Sequence, residues 1–382
     1  MTARGLYTLL FGALMLVVSL SVGSAGAMLL GGAALIAWAL SLACVLLALP
    51  LCCVSQRVEG GKAARGGVCR YTLTARLPIP LPLAPLSLRV CLPSGRQSEY
   101  MLPLRLMGET VSENEFPCPH VGVYAVGASR VRLGDCFGLF SVAKKLREPL
   151  AGVMVVPGCA KTAPLTFSPG EGETGAAQRA QADRTTPEDV RTWQDGDDLK
   201  RVHWKLSMRR QALMVRTYET PQRPDALILL DCGAPAVPDA LRSAAIDALC
   251  ETCAGLLSSL LSEGHIARLP LTGDTPRELS GQESHALPAM LEALAQERFS
   301  RAEDFSRVLL LASRRMRRTG STVILTTRLT PAIADAAIAL SRMGPHTRFT
   351  LVSPGELEGE QAQLLHLLLV SGVETTRVSL RG

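Results

Sequence analysis

A continuous apolar run, ALILL at residues 226–230, is followed at once by Asp231 and indicates how the second half of this chain folds. Apolar side chains at every position are typical of a strand in a parallel sheet that is covered on both faces. In the next segment, 239–262, apolar residues recur at the three- and four-residue spacing of one helix face. A buried strand followed by an amphipathic helix predicts the start of an α/β domain.

The same alternation continues through the rest of the sequence. Strands are predicted at 322–326, 348–352 and 374–380, and helices at 332–343 and 358–370. Strands that alternate with helices form a mostly parallel sheet with helices on its faces. We therefore assign residues 221–382 to one α/β domain, whose strand order the sequence does not reveal.

Upstream, residues 56–160 are typical of a small β-sandwich-like unit. Short alternating segments, separated by Pro and Gly, predict strands at 69–76, 85–92, 99–107 and 120–133. The stretch 78–82 contains three prolines and cannot form a central strand. We predict a basic linker at 56–67, at the start of this unit, and a linker that carries the signature motif at 161–220 after it.

The N-terminal residues 1–55 predict a transmembrane helical hairpin. From Leu6 to Val54 there is no Asp, Glu, Lys or Arg. About 20 apolar residues span a bilayer, so two spans fit, at 6–22 and 27–49. A helical hairpin satisfies its backbone hydrogen bonds internally, as the bilayer requires.

Flanking charges predict a multi-pass protein of the cytoplasmic membrane whose soluble part is cytoplasmic. Arg4 precedes the first span, and Arg57, Lys62, Arg65 and Arg70 follow the second. Basic residues favour the cytoplasmic side, so both ends are expected there. Alternatively, the first span is a signal peptide with small residues at 24–27. The second span would then act as the anchor, and the soluble part would stay cytoplasmic.

The cysteines and the net charge exclude several classes of protein. Eleven cysteines without a repeated spacing do not form a disulfide framework. Cys250 and Cys253 form a C-x-x-C, but they lie within an apolar helical pattern and are expected in the core. The formal charge is +6 and only 4% of residues are aromatic, so we expect no nucleic-acid partner.

A basic cluster is the other charged feature. Its members are Arg314, Arg315, Arg317 and Arg318. We interpret it either as a solvated helix C-terminus, where cations complement the helix dipole, or as a contact for anionic lipid headgroups.

Two stretches form a signature. The first is G-V-Y at 122–124, followed by G-D-C-F-G-L-F at 134–140, and the second is R-T-W-Q-D-G-D-D-L-K-R-V-H-W-K at 191–205. They resemble the bacterial family known as domain of unknown function 58, and the predicted domain order does so too. Cys136, Trp193 and Val202 depart mildly from the family pattern. The candidate signature or interaction residues are Asp135, Gly138, Arg191, Gly196, Asp197, Arg201, His203, Trp204 and Lys205.

We interpret the signature first as a structural clasp between the β-rich unit and the α/β domain. Trp204 is expected to bury its ring and Lys205 to face solvent or a carboxylate. A ligand site is the alternative. Catalysis would use Asp197 and His203 as base and orienting group, but no nucleophile stands out, so we do not expect an enzyme.

The resemblance implies a von Willebrand A-like α/β domain, and such domains hold Mg²⁺ through D-x-S-x-S after the first strand. Here Asp231 matches the aspartate, but Gly233 and Pro235 stand where the serines belong. One carboxylate without hydroxyl partners binds a hard cation poorly. We therefore expect a degenerate site at Asp231, no metal and no other cofactor.

The resemblance also implies partners. Members of the family frequently pair with MoxR-type AAA+ ATPases, which implies a protein-interaction module that helps to assemble or mature envelope or metal-containing complexes. We expect membrane lipid as a second partner. The alternatives are a hydrolase that uses Asp197 and His203, or a structural subunit of a membrane complex.

Overall fold

A computed structural model describes residues 1–79, 81–103, 108–146, 148–167, 189–194, 202–217, 225–273, 276–300, 304–314, 319–355 and 359–380. The chain divides into two compact units. The first comprises Met1–Gly158 with Leu294–Gln296, and the second comprises Cys159–Ala293 with Glu297–Gly382.

Two apolar helices begin the first unit, as predicted. They are α1 (Ala3–Val22) and α2 (Ala25–Leu51). A Cβ on Gly31 of α2 would lie 3.0 Å from the carbonyl oxygen of Gly12 on α1, so the two backbones approach closely. Small residues permit this close packing between membrane helices.

Both helices are long and apolar enough to cross a membrane. Among the described residues a third helical stretch, Asp239–Ser262, also meets these criteria, but 67% of its most apolar part is buried within the protein. This third stretch is therefore a core helix of the second unit.

Two β-sheets make up the rest of the first unit. The strands are β1 (Cys53–Val58), β2 (Lys62–Ala64), β3 (Val68–Leu77), β4 (Leu86–Cys91), β5 (Gln97–Leu102), β6 (Gly108–Pro117), β7 (Gly122–Gly134), β8 (Ser141–Lys145) and β9 (Ala151–Val156). One sheet has the order β1-β3-β6. The other has the order β2-β9-β7-β4-β5, with β8 paired to β7.

The two sheets contribute to one hydrophobic cluster. Tyr71 and Leu73 of β3 lie in it with Leu88 of β4 and Val131 of β7. Burial alternates along β3, as expected for a strand with one face in the core. The predicted strands of this unit are therefore present.

The basic linker predicted at 56–67 is wrong. These residues include β2 and the second half of β1, and β1 pairs with β3 along its whole length. The half-buried Val54, Gln56 and Val58 alternate with exposed residues along β1. Basic residues lie on solvent-facing positions of a strand as readily as in a linker, so charge alone did not distinguish the two.

The first described strands of the second unit form a small antiparallel pair. Strands β10 (Asp189–Thr192) and β11 (Met214–Thr217) pair antiparallel, and the short helix α3 (Trp204–Arg210) lies between them in sequence.

The large sheet follows. Its strands are β12 (Asp225–Leu230), β13 (Ala267–Leu271), β14 (Arg277–Gly281), β15 (Thr319–Thr326), β16 (His346–Ser353) and β17 (Glu374–Ser379). Its helices are α4 (Arg242–Ser262, after a 3-10 turn at Asp239–Leu241), α5 (Leu287–Gln296), α6 (Phe305–Ser313), α7 (Pro331–Ser341) and α8 (Glu360–Val370). The α/β prediction is confirmed.

The sheet order is β14-β13-β12-β15-β16-β17. All neighbours pair parallel except β14, which is antiparallel to β13. Leu227 and Leu229 of β12 pack with residues of α6, α7 and α8 in one cluster. Ile228 and Leu230 point to the opposite face and are also buried, which explains why residues 226–230 of this strand are all apolar.

The segment Cys159–Phe167 lies on the second unit. Arg348 of β16 is buried and donates to the carbonyl oxygens of Ala163 (2.9 Å) and Pro164 (2.7 Å). The ring of Phe167 stacks on His265 with centroids 4.2 Å apart. The first residues of the predicted linker are thus part of the packed unit.

Candidate functional site

The first half of the signature forms a loop organised by Asp135, at the end of β7. Its carboxylate is buried and accepts the backbone N–H groups of Phe137 (3.1 Å), Leu139 (3.2 Å) and Phe140 (2.6 Å). Gly138 has φ +72°, a left-handed conformation that favours glycine. Burial raises the pKa of Asp135, but hydrogen bonds, led by the one from Phe140, outweigh it and hold the pKa below its ordinary value.

This loop contacts the apolar helices. The backbone N–H of Thr2 donates to the carbonyl oxygen of Leu139 (3.0 Å), and the Thr2 hydroxyl donates to that of Gly138 (2.7 Å). The rings of Phe140 and Trp38 meet edge to face at 5.2 Å. The first half of the signature therefore holds the β-rich unit on the helical hairpin.

A second contact supports the same arrangement. Lys144 of β8 donates from Nζ to the carbonyl oxygen of Leu49, near the end of α2, at 2.9 Å. Since Thr2 lies at the start of α1 and Leu49 near the end of α2, the β-rich unit contacts both helices at the open side of the hairpin. Neither contact could be predicted from residue spacing.

The second half of the signature surrounds α3, and His203 is the N-cap of this helix. Its Nδ1 accepts the N–H of Leu206 at 3.3 Å, and its own backbone N–H donates to the carbonyl oxygen of Met214 at 2.7 Å. Ser207 is buried; its hydroxyl donates to the carbonyl of His203 (3.0 Å) and accepts the N–H of Met214 (2.8 Å). These bonds tie α3 to β11 and give His203 a structural role.

The prediction that Trp204 buries its ring is wrong. Trp204 is 61% exposed, and Lys205 is exposed, as predicted. The residue of α3 that faces inward is Ser207, and the helix turns Trp204 away from it. Arg191 is also exposed and donates to the carbonyl oxygen of Thr192 at 3.2 Å.

Three signature residues, Gly196, Asp197 and Arg201, lie outside the described residues. The pairing of Asp197 with His203 therefore stays a prediction, as does the choice of signature residues as an interaction site. Of the basic cluster, Arg315, Arg317 and Arg318 also lie outside the described residues, while Arg314 is exposed at the end of α6.

Asp231 is the centre of a third site, directly after β12. Its carboxylate is 3% exposed and forms a bidentate pair with Arg328: Nη2 lies 2.6 Å from Oδ1 and Nε lies 2.9 Å from Oδ2. Thr326 donates its hydroxyl to Oδ2 at 2.7 Å, and the N–H of Gly233 donates to Oδ1 at 3.0 Å. The acceptor capacity of the carboxylate is thus used by four donors.

The site lies where the strand order of the sheet reverses, between β12 and β15. From β12 the chain continues to β13 on one side, and β15, which carries Thr326 and leads to Arg328, lies on the other side. Open α/β sheets place their ligand surface at the carboxyl ends of strands at such a point. A bond from the N–H of Ala236 to Thr327 Oγ1 (3.1 Å) also joins the two loops.

The Arg328 guanidinium balances the charge of Asp231. It is 22% exposed, and its charge also contributes to the lowered pKa of Asp304, after the larger effect of the hydrogen bond from Ser306. Within the described part of the chain, no group of three or more His, Cys, Asp or Glu side chains could hold a metal ion. The donor set at Asp231 fits an arginine better than Mg²⁺, which demands an octahedral set of oxygens.

The C-x-x-C cysteines lie in the core, as predicted. Cys250 and Cys253 are buried in α4 with free thiols. Burial raises the pKa of both thiols well above the ordinary value, which makes them unreactive.

Comparisons with known proteins give one family. A family model described as protein of unknown function DUF58 matches residues 189–358, which run from β10 to beyond β16. "Uncharacterized protein YeaD" of Bacillus subtilis (strain 168) is 26% identical over 235 residues, which are 57% of this chain and 55% of that protein. The chain thus spans about half the length of this curated relative.

Solved structures give only distant similarities. Cwp6 from Clostridium difficile has 9% identity and a TM-score of 0.19, with 85% of this chain and 37% of that chain covered. A GH20 exo beta-N-acetylglucosaminidase from Vibrio harveyi has 11% identity and a TM-score of 0.20, with 83% and 60% covered. At these TM-scores the two structures carry no information about fold or function. Residues 189–358 of this chain thus match the DUF58 family model.

Proposed function

We propose that this chain is a membrane-tethered, cytoplasmic protein-interaction module that works with a MoxR-type AAA+ ATPase in the assembly or maturation of envelope or metal-containing complexes. The observation that carries the proposal is the closed Asp231–Arg328 pair at the carboxyl edge of the sheet. The pair neutralises the buried carboxylate of Asp231 and leaves the partly exposed Arg328 as the charged group nearest the surface.

The α/β unit is von Willebrand A-like in this proposal, and its sheet order supports the assignment. Counted from β12, the strands lie in the order 3-2-1-4-5-6, and the third strand, β14, is antiparallel at the edge. Asp231 follows the first of these strands, β12, and Thr326 ends the fourth, β15. Their side chains therefore meet where the strand order reverses. A partner is expected to bind at this edge.

Docking at this edge would not require a divalent cation. The positive charge that a metal would supply comes from Arg328, held by two parallel hydrogen bonds to Asp231. An arginine fork is planar and permanently charged, so it keeps this geometry without added ions.

The tether follows from the two apolar helices and their basic flanks. α1 and α2 are long enough to span a bilayer, and Arg4 and Arg57 flank them. Basic residues on both sides of the helical hairpin favour placement of the β-rich unit on the cytoplasmic side of the membrane. External protease added to spheroplasts should leave the chain beyond Gln56 intact, and its digestion would refute the cytoplasmic assignment.

The partner is tested by purifying the full chain in detergent from its native host, with Mg²⁺ and either ATP analogue, ADP or no nucleotide. A AAA+ ATPase should co-purify in a nucleotide-dependent way. Absence of any AAA+ ATPase in all conditions would refute the partner. Nucleotide-independent recovery of membrane proteins alone would favour the structural subunit.

Matched variants locate the docking edge. Arg328→Lys keeps the charge but loses the fork, so ATPase recovery should fall several-fold. Arg342→Lys, at an exposed position just after α7, is the control and should change nothing. If the two variants recover the ATPase equally well, the docking surface must lie elsewhere on the chain.

The hydrolase alternative depends on His203, whose Nδ1 already accepts the N–H of Leu206. Asparagine is also a good N-cap residue, so His203→Asn is expected to keep α3 folded, whereas His203→Ala removes the cap. Hydrolase activity in the purified full chain that His203→Asn abolishes, with the fold intact, would favour the enzyme over the interaction module.

A further inference from the structure

The exposed side of α3 combines apolar and basic side chains. Trp204 is 61% exposed and Met208 is 80% exposed. They are four residues apart on a helix and are therefore neighbours on its surface. Lys205, Arg209 and Arg210 are exposed on the same short helix. We call these five residues the α3 surface.

All the Lys, Arg, Asp and Glu residues around α3, at 202–217, are basic ones. Residues 202–217 contain four Lys or Arg residues (Lys205, Arg209, Arg210 and Arg216) and no Asp or Glu. Lysine and arginine can keep their charged groups in water while their carbon chains lie along an apolar surface. The α3 surface is thus complementary to something that is anionic at its boundary and apolar beneath it.

A bilayer with anionic headgroups has this profile. Tryptophan prefers the headgroup level, where its ring is in an apolar layer and its N–H remains close to water. Basic residues next to such a ring are attracted by the negative surface potential of the cytoplasmic leaflet. The same combination of Trp with Lys and Arg marks helices that lie in the interface plane.

The membrane anchor also keeps the α3 surface in the neighbourhood of the bilayer. Helices α1 and α2 anchor it, and the β-rich unit follows directly at Cys53. A tethered surface experiences a high effective concentration of its ligand, so a helix of two turns can bind although it would be too weak in free solution. We propose that the α3 surface docks on the anionic headgroups of the membrane in which the chain is anchored. This inference rests on the proposed membrane tether and is independent of the ATPase.

Tryptophan fluorescence tests the proposal on the full chain. Besides Trp204 the chain contains Trp38 and Trp193, so a Trp38→Phe/Trp193→Phe background leaves Trp204 as the reporter. The protein is reconstituted into nanodiscs of phosphatidylcholine alone, or of phosphatidylcholine with phosphatidylglycerol, and quenched by brominated lipid or by acrylamide.

In anionic discs, brominated lipid should quench Trp204 several-fold more than in neutral discs, and acrylamide should quench it less. High salt should weaken the contact because it screens the headgroup charge. Equal acrylamide quenching in the two kinds of disc would overturn the proposal. Protection of Trp204 only after a protein partner is added would overturn it too.

Charge-matched variants separate the α3 surface from general charge. Arg209→Glu/Arg210→Glu should abolish the difference between the two kinds of disc, while Arg298→Glu/Arg342→Glu, at exposed positions elsewhere, should keep it.

If the reporter background does not fold, the difference in quenching between the native chain and Trp204→Phe gives the same measurement. A chain that fails to enter nanodiscs refutes the tether, whereas one that enters without lipid contact at Trp204 refutes this inference alone.

Discussion

The carbonyl oxygen of Ala160 lies against Gly255, in the middle of α4, so closely that a Cβ at this position would be well within 3.0 Å of it. The N–H of Ala160 donates to the carbonyl oxygen of Glu251 at 3.2 Å, one turn earlier on the helix. Glycine inside a helix costs about 1 kcal/mol relative to alanine. Here the missing side chain makes room for the segment that enters the α/β unit.

Gly255→Ala should therefore destabilise the α/β unit, although helix propensity alone would stabilise it by about 1 kcal/mol. The urea concentration at which protease cuts this unit of the full chain measures the effect. Gly355→Ala is the control, because a Cβ there meets no atom within 4 Å. A higher urea midpoint for Gly255→Ala would show that Ala160 does not pack on the helix.

Arg348→Lys should loosen the segment Cys159–Phe167. The guanidinium bonds two carbonyl groups, of Ala163 and Pro164, and pairs with Glu374 at 2.8 Å, and a single ammonium cannot reproduce this fork. We expect a loss of roughly 2 kcal/mol, as for broken hydrogen bonds to a buried charge. Faster proteolysis within the segment is the measurement, and Arg342→Lys, at an exposed position, is the control.

The Asp231–Arg328 pair is expected to couple strongly. Arg328→Ala leaves a buried carboxylate without its partner and should cost about 3 kcal/mol. Asp231→Leu/Arg328→Met removes the two charges together and should recover much of that loss. A double-mutant cycle on urea midpoints measures the coupling, and additive effects would contradict a buried pair.

Asp135 makes the β-rich unit sensitive to acid. Its pKa in the folded chain lies below the unfolded value of about 3.9, so its stabilisation is present above about pH 4 and is lost as the pH falls through the lowered pKa. Asp135→Asn should lower stability at neutral pH by roughly 2 kcal/mol and flatten its pH dependence below pH ~4. Urea midpoints between neutral and acidic pH test this.

The control for acid sensitivity is Glu113→Gln, at an exposed position of β6. Its pH profile should follow that of the native chain. A profile of Asp135→Asn that is as steep as the native one would mean that other carboxylates cause the acid loss.

The strands β12, β15 and β16 could be predicted from the sequence to within a few residues. Each is buried along nearly its whole length and has apolar residues at consecutive positions, 226–230 in β12, 323–325 in β15 and 351–352 in β16. β13 and β14 were missed because Pro270 and the charged residues Arg277 and Glu278 argue against a strand. β14 is the edge strand, where charged residues are tolerated, and Pro270 lies beyond the part of β13 that pairs with β12.

The candidate sites were less predictable, because their contacts join distant parts of the chain. Asp231 was identified from its place after β12, but Arg328 lies 97 residues later and no spacing relates the two. Likewise, the Asp135 loop was recognised as a motif, but its contact with Thr2 depends on the hairpin packing. The exposure of the Trp204 ring could not be predicted, because Ser207 and not Trp204 occupies the inward-facing position of α3.

The order of strands in the large sheet has a consequence during synthesis. β12 is central, but its neighbour β15 begins only at Thr319, after β13, β14 and three helices have been made. Until then, one edge of β12, which is apolar from Ala226 to Leu230, has no partner as the chain leaves the ribosome. Such delayed parallel pairing slows folding and exposes a segment that aggregates easily. Chaperone demand should therefore be greatest for nascent chains that end between β12 and β15.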